Sequence, residues 1–250
     1  MMSFKALSAG YGPCDVLQSI TAQAKAGEFI ALIGPNGCGK STLLKTLCGI
    51  IAPSSGQILI GDKTLSAMPL KMRARQIAYL AQSREALPSM TVEQVVSLGR
   101  APYRGGLGQV SAEGESAIHS ALSKTDSVVF KSRRFDSLSG GEQARVLLAR
   151  ALAVQAPVLL ADEPIAALDP FYQLSMMGIL KAEAVSGKTV IAALHDLSLA
   201  AQFADRIWIM HHGKIIADGK PIDVLNTKTL KTVFGIKLPK GGFKPLELAN

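Results

Sequence analysis

The chain has 250 residues, of which 48% are apolar and 18% are charged, and this composition excludes an intrinsically disordered protein. It is long enough for one large domain or for a domain with an inserted lobe. The formal net charge of +8 is compatible with nucleic acid, an anionic membrane surface or a polyanionic small ligand as partner. The basic residues are scattered along the sequence, which indicates an ordinary solvated surface more than a nucleic-acid-binding patch.

The most apolar stretch, residues 146–161, is interrupted by Arg150, Gln155 and Pro157. No run of the sequence reaches the roughly 18 apolar residues that a transmembrane helix needs. The first residues lack the apolar core of a secretory signal, and the three cysteines lack the spacing of metal ligands. We therefore expect a soluble, cytoplasmic chain.

Residues 3–30 and 57–65 predict strands joined by turns, and so a small antiparallel layer. Four short apolar runs predict buried parallel strands of an α/β sheet, because helix-length segments separate them. The run at 29–34 leads into a glycine loop, and the run at 77–82 ends at Gln82. The run at 158–163 ends at Asp162 and Glu163, and the run at 189–196 ends near His195. Ligands of such sheets lie outside the carboxyl ends of the strands, so these groups should converge on one site.

The middle of the chain predicts a mostly helical insertion. Thr91 and Gln94 form a capping box that opens a helix, residues 101–109 have the Gly and Pro content of a loop, and residues 111–125 are helical. The expected units are a nucleotide-binding α/β core of residues 1–85 and 157–235, a helical subdomain of residues 86–156, and a C-terminal tail of residues 236–250.

The glycine loop reads GPNGCGKS at residues 34–41 and fits G-x-x-x-x-G-K-[ST]. Backbone amides and the positive end of the next helix would hold the phosphates of ATP, Lys40 would reach the β and γ oxygens, and Ser41 would ligate Mg²⁺. A plain glycine turn between strand and helix is the disfavoured alternative. The expected contacts are Gly34, Pro35, Asn36, Gly37, Cys38, Gly39, Lys40, Ser41 and Thr42.

Two carboxylates follow the apolar run at residues 158–161. Asp162 would hold Mg²⁺ through water, and Glu163 would polarise the water that attacks the γ-phosphate. The alternative is a solvated acidic pair in a turn, which the phosphate-loop context disfavours.

Three further side chains have open interpretations. Gln82 would orient water or ligate Mg²⁺, although a single Gln after a strand is more often a cap. His195 would contact the γ-phosphate, although a structural histidine is the commoner case. Tyr11 would stack on adenine, or it is a surface residue between Gly10 and Gly12.

Taken together, these residues resemble the ATP-binding subunits of ABC transporters. GPNGCGKST, Gln82, LSGGEQARVLLARAL, VLLADEP, AALD and His195 occur in that family's order and approximate spacing, over residues 3–235. LSGGEQ is the most specific element, because it separates ABC ATPases from other phosphate-loop enzymes. The resemblance implies a phosphate-loop NTPase core with an antiparallel β layer and an inserted helical subdomain.

The resemblance also implies roles and partners. Tyr11 matches the adenine-stacking position, Gln82 the loop that senses Mg²⁺ and the membrane subunit, and Glu163 the catalytic base. Asp169 matches the loop that crosses the dimer interface, and His195 the γ-phosphate switch. Family members form dimers that close on two ATP molecules and drive transmembrane permease subunits. They bind these subunits at the cytoplasmic face of the membrane, which is the inner membrane in cells that have two.

Residues 90–105 and 195–219 and the compact length resemble importers for iron–siderophore chelates, haem and cobalamin, which also use a soluble substrate-binding protein. An ABC ATPase that acts on DNA or ribosomes is the alternative. DNA-acting members insert long coiled coils between the phosphate loop and the signature, and no sustained heptads occur between Gln82 and Ser139. Ribosome-associated members usually carry two cassettes, and this chain has one.

The stretch SLSGGEQ at residues 137–143 is a second glycine turn before a helix, but it has no lysine of its own. The Ser139 hydroxyl, the Gly140 and Gly141 amides and the helix N-terminus suit a γ-phosphate. Alone they form half a site. With the resemblance, we expect them to complete the nucleotide site of a second copy of the chain.

Two departures from the family pattern carry expectations. Ile165 and Ala166 stand where Thr and Ser are frequent, which removes two hydroxyls and should tune the rate of hydrolysis. Cys38 lies in the phosphate loop beside a helix N-terminus, so a lowered pKa and high reactivity are expected of its thiol. An alkylating agent should then inactivate the protein, and bound ATP should protect it.

Overall fold

The computed structural model describes residues 1–82, 90–104 and 110–237. The strands are β1 Met2–Tyr11, β2 Cys14–Ala24, β3 Phe29–Ile33, β4 Ser55–Ile60, β5 Lys63–Thr64, β6 Ile77–Leu80, β7 Val158–Asp162, β8 Thr189–Ala193, β9 Arg206–His211 and β10 Lys214–Gly219. The helices are α1 Lys40–Leu47, α2 Leu70–Gln76, α3 Val92–Ser97, α4 Ala112–Lys124, α5 Gly140–Ala153, α6 Pro170–Val185, α7 Leu197–Phe203, α8 Pro221–Val224 and α9 Thr227–Phe234.

The strands form two sheets. An antiparallel sheet has the order β2-β1-β4-β5, and a larger sheet has the order β10-β9-β3-β8-β7-β6. In the larger sheet β6, β7, β8, β3 and β9 are parallel, and β10 pairs antiparallel with β9 at one edge. The predicted α/β fold with an N-terminal antiparallel layer is confirmed. The β9–β10 hairpin was not anticipated from the apolar runs.

The central strands are buried on both faces, which explains their continuous apolar sequence. In β3, Phe29, Ala31 and Ile33 face one hydrophobic cluster, with helices α5, α6 and α7. Ile30 and Leu32 face a second cluster, in which α1 and the antiparallel sheet cover the other side. The parallel sheet is therefore the middle layer, and its carboxyl edge is held rigidly from both sides.

The segment between β6 and β7 is helical where it is described. The capping box at Thr91 and Gln94 opens α3, as predicted. The predicted loop at residues 101–109 is wrong at its start, because residues 98–103 form a 3₁₀ helix. The ring centre of its last residue, Tyr103, lies 4.8 Å from the guanidinium carbon of Arg75 and 3.8 Å from that of Arg100, and these contacts hold the turn in place.

The remainder of that predicted loop, residues 105–109, and most of the predicted tail, residues 238–250, lie outside the described residues. The division into core, helical subdomain and tail stays a prediction. Over residues 1–82, 90–104 and 110–237, no helix has both the length and the apolar character needed to cross a membrane.

A buried carboxylate connects the segment between β6 and β7 to the α/β core. Glu183 on α6 is 2% exposed, and its carboxylate pairs with Lys124 at the end of α4 at 2.5 Å and with Lys188. Burial alone would raise the pKa of Glu183, but the hydrogen bonds and charges of the two lysines outweigh it and lower this pKa.

We predict that Glu183→Gln destabilises the protein by about 1–3 kcal/mol at pH 7, because two lysines lose the charge that pairs them. Since the folded-state pKa is lowered, this contribution is complete above the ordinary value of 4.5 and is lost as the pH falls below it. Thermal unfolding of both proteins from pH 3 to pH 8 measures the difference. Glu115→Gln, at an exposed position of α4, is the matched control and should change little.

Candidate functional site

The phosphate loop, residues 34–41, joins β3 to α1 in the predicted place. Gly37 and Gly39 have φ values of 75° and 106°, which L side chains rarely adopt. A Cβ on Gly34 would lie 2.7 Å from the Cys38 sulfur. The Lys40 side chain is buried, and its Nζ donates to the Gly34 carbonyl at 2.8 Å and the Pro35 carbonyl at 3.2 Å. The Lys40 ammonium group is therefore enclosed by the loop and hydrogen-bonded to the loop's own backbone.

The first carboxylate of the pair, Asp162, ends β7 and is 1% exposed. Its Oδ1 accepts from the Ser41 hydroxyl at 2.9 Å, and its Oδ2 accepts from the Tyr79 hydroxyl at 3.1 Å. Burial raises the pKa of Asp162, and the two hydrogen bonds only partly oppose it. A buried carboxylate next to a hydroxyl is an oxygen donor set that suits Mg²⁺, whose charge would offset the burial.

Glu163 lies between the two other predicted polar residues. Its Oε2 accepts from the Gln82 amide at 2.7 Å, and its Oε1 lies 2.6 Å from His195 Nε2. The residue has φ 51°, a conformation that costs a non-glycine residue about 1–2 kcal/mol. Gln82, Glu163 and His195 thus converge at the carboxyl edge of the sheet, as predicted from the ends of three strands.

A small cavity of about 30 Å³ adjoins this cluster, and Gln82, Glu163 and Ala166 are among its lining residues. That volume is enough for a water molecule, and the carboxylate and amide supply hydrogen-bond partners. The site can therefore hold water beside the group that would accept its proton.

Tyr11 lies apart from this cluster at the end of β1, where its side chain is 57% exposed. The following strand passes close to the phosphate loop, since Leu17 Cδ2 lies 3.0 Å from the position of a Cβ on Gly39. The β9–β10 turn supports the loop from another side, with the Gly213 amide donating to the Cys38 carbonyl at 3.1 Å. The exposed ring of Tyr11 at the end of β1 is compatible with base stacking.

The second glycine turn opens α5. Ser139 is the N-cap, and it forms a capping box with Glu142: the Ser139 amide donates to Glu142 Oε2 at 2.8 Å, and the Glu142 amide donates to Ser139 Oγ at 3.4 Å. Ser139 and Gly140 are exposed. Their outward position leaves the turn open to a second molecule.

Asp169 lies at the start of α6 and caps it by accepting from the Tyr172 amide at 3.1 Å. It is exposed, like the second glycine turn. The structure thus brings together Ser41 and Asp162 in one group and Gln82, Glu163 and His195 in the adjoining group, while the Lys40 ammonium stays on the carbonyls of its own loop. Tyr11, Ser139 and Asp169 lie on the surface.

Three residues that contact the predicted site residues were not themselves predicted: Tyr79, Glu142 and Tyr172. Glu142 had a signal, because Ser139 and Glu142 have the spacing of a capping box. Tyr79 had none, because its hydrogen bond to Asp162 joins segments 83 positions apart. The Tyr172 ring had none either, because it contacts Gly141 and Arg145 on another helix.

The two positions that depart from the family pattern differ in their surroundings. Ile165 is 6% exposed and belongs to the hydrophobic cluster on one face of the sheet. Ala166 is part-exposed, and its amide donates to the Glu163 carbonyl at 3.2 Å. The Ile165 side chain therefore adds core packing. The predicted effect of both residues on the rate stays a prediction.

The expectation of a lowered pKa at Cys38 is wrong. The thiol is 6% exposed, and burial raises its pKa above the ordinary value of 9.0, although the Lys40 charge and the backbone amides of residues 38 and 40 oppose the rise. Proximity to a helix N-terminus is outweighed because the side chain points into the hydrophobic cluster beneath the loop.

Comparison with known proteins identifies relatives of this arrangement. The family model described as ABC transporter matches residues 17–166. The hemin import ATP-binding protein HmuV of Thermobifida fusca is 39% identical over 93% of this chain and 81% of its own length. The achromobactin transport ATP-binding protein CbrD of Dickeya dadantii is 36% identical over 92% of this chain and 86% of its own length.

Among solved structures, the dimeric ATP-binding cassette MJ0796, in a post-hydrolysis state bound to ADP and phosphate, is similar to this chain. The TM-score is 0.78 at 30% identity, over 88% of this chain and 99% of the other.

We predict that Cys38 reacts with iodoacetamide at pH 7 about tenfold or more slowly than the exposed Cys14, because burial disfavours its thiolate. Mass spectrometry of timed samples measures both rates, and Cys14→Ser serves as the control that assigns the fast site. Alkylation of Cys38 as fast as that of Cys14 would show that the thiol is accessible and ionised.

Proposed function

The chain belongs to the ABC transporter family and is an ABC-type ATPase, and we propose that it binds and hydrolyses ATP to power an importer. The observation that carries the proposal is the convergence of two hydrogen-bonded groups at the end of the phosphate loop. Asp162 is bonded to Ser41 and Tyr79, and Glu163, the next residue along the chain, is bonded to Gln82 and His195, at distances of 2.6–3.1 Å. A bare glycine turn would need none of these partners.

In this proposal the phosphates of ATP lie against the amides of the loop and the N-terminus of α1, which is a preformed anion site. Lys40 exchanges its carbonyl partners for phosphate oxygens. Ser41 would ligate Mg²⁺ and Asp162 would hold it through water, and the ion would supply positive charge to offset that of the phosphates. Gln82, whose amide donates to Glu163 at 2.7 Å, would orient water or ligate the ion.

Glu163 is the proposed general base, which accepts a proton from the attacking water. In the present arrangement both of its oxygens are engaged, one by Gln82 and one by His195. Entry of the γ-phosphate gives His195 a second acceptor, and its shift toward the phosphate would free one carboxylate oxygen for the water. Gln82 and His195 would thereby control whether Glu163 can accept a proton from water.

The second glycine turn completes a nucleotide site in a second copy of the chain. Ser139, Gly140 and Gly141 with the positive end of α5 suit a γ-phosphate, but residues 137–143 contain no lysine of the kind that the phosphate loop has in Lys40. The exposure of Ser139 and Asp169 supports a role toward a partner. The dimeric state of the related MJ0796 cassette supports the same assembly.

We infer that the cargo is an iron–siderophore chelate, haem or cobalamin, since the relatives are named for hemin and achromobactin. The chain would then bind permease subunits at the cytoplasmic face of the membrane and serve a soluble substrate-binding protein indirectly. Within the described ranges the longest helix, α6, has 16 residues, so no coiled coil supports the alternative of a DNA-acting ATPase.

Purification of the tagged chain from detergent-solubilised membranes tests the importer. We expect a polytopic permease to accompany it, and a substrate-binding protein to stimulate ATP hydrolysis in the reconstituted complex. Stimulation by DNA or ribosomes, with no permease bound, would replace the importer with the alternative.

We predict that Glu163→Gln binds ATP with nearly unchanged affinity but hydrolyses it about 10²- to 10⁴-fold more slowly, because the general base is lost. The ATP-bound form should then accumulate as a dimer, measured by size-exclusion chromatography with ATP and Mg²⁺. Hydrolysis at a rate close to that of the parent would assign the base elsewhere.

We predict that Ser139→Arg blocks ATP-dependent dimerisation of the Glu163→Gln protein, because the larger side chain fills the exposed turn. Its own phosphate loop is untouched, so ATP affinity of the monomer should stay within about twofold, a change well under 1 kcal/mol. Lys40→Ala is the opposite control, since it should weaken nucleotide binding itself. A dimer of normal stability in Ser139→Arg would remove the turn from the interface.

A further inference from the structure

The second glycine of the turn, Gly141, has an aromatic ring against it. A Cβ placed on Gly141 would lie 2.7 Å from Tyr172 Cδ2 and 2.8 Å from Tyr172 Cε2. Cβ atoms do not approach ring carbons this closely, so any side chain at this position would displace the ring. The backbone of Gly141 is in the first turn of α5 and has no positive φ, so conformation alone does not require glycine here.

Tyr172 also contacts the other exposed element. Its amide donates to the Asp169 carboxylate at 3.1 Å and so forms the cap of α6. The Arg145 guanidinium, one turn further along α5, lies 5.2 Å from the centre of the Tyr172 ring. One residue of α6 is thus in contact with two turns of α5 and with the cap of its own helix.

We propose that Tyr172 is a positioning residue that makes the second glycine turn and the Asp169 loop one rigid unit. The proposal rests on the proposed function, in which both elements act on the nucleotide site of a second copy. Gly141 is glycine because the ring must lie directly on the α5 backbone, and the amides of the turn are thereby held at a fixed position relative to α6.

The contact matters because the second glycine turn and the Asp169 loop belong to different segments of the chain. Asp169 follows β7 directly along the chain, whereas the turn belongs to the helical segment between β6 and β7. The ring lies directly against the glycine backbone, so no space remains between the two helices for a side chain at residue 141. A partner molecule therefore meets both elements in a single geometry.

A double-mutant cycle in the Glu163→Gln protein tests the contact. Gly141→Ala should weaken the ATP-dependent dimer about tenfold or more, because the new methyl group displaces the ring. In a Tyr172→Ala background the same change should weaken the dimer at least about threefold less, since no ring remains to be displaced. Tyr172→Phe should keep the coupling, because the Tyr172 hydroxyl has no hydrogen bond in the described part of the chain.

Thermal unfolding of the nucleotide-free monomers provides an independent measurement. Gly141→Ala should lower the Tm by about 3 °C or more with Tyr172 present, because overpacking is destabilising. Without the ring it should not lower the Tm, since alanine is the better helix former. Phe171→Ala is the matched control: this neighbouring ring, exposed and 5.4 Å from Tyr172 between ring centres, should not relieve Gly141→Ala.

Equal effects of Gly141→Ala with and without Tyr172, in the dimer or in the Tm, would overturn the proposal. Relief by Phe171→Ala would also overturn it, because the contact would then not be specific to Tyr172. Failure of the parent Glu163→Gln protein to dimerise with ATP would instead contradict the proposed function. The Tm cycle would still show whether the contact exists.

Discussion

Asp162 is a carboxylate buried at the end of the central layer, and the nucleotide end of the molecule is arranged around it. One oxygen is bound to the helix after the phosphate loop through Ser41, and the other to the neighbouring strand through Tyr79. A buried charge is stable only with such partners. The same residue therefore sets the spacing between α1, β6 and β7, and the next residue, Glu163, is placed as a consequence.

Much of this could be predicted from the sequence because it depends on local patterns. A strand buried on both faces has to be apolar throughout, so residues 29–33 and 158–161 can be predicted as buried strands without a structure. Polar residues directly after such runs lie at one edge of a parallel sheet, so the sequence predicts that Gln82, Glu163 and His195 are close together. Two of the three glycines of the phosphate loop, Gly37 and Gly39, have positive φ, so its pattern is also local.

What could not be predicted depends on contacts between distant segments. Tyr79 and Tyr172 are ordinary aromatic residues until their partners, Asp162 and Gly141, are known. Cys38 was misjudged because its helix-terminal position is visible in the sequence and its burial is not. The pairing of Glu183 with two lysines is likewise invisible, since Lys124 lies 59 positions away. In each case the environment outweighs the local rule.

The resting position of Lys40 affects how fast a nucleotide can enter. Its ammonium is bound to two neutral carbonyls of its own loop, and no carboxylate pairs with it in the described part of the chain. An arriving phosphate therefore has no ion pair to break, and it replaces one oxygen ligand with another at nearly the same place. Little reorganisation separates the empty loop from the filled one, so the rate of encounter, and not the opening of the loop, should limit association.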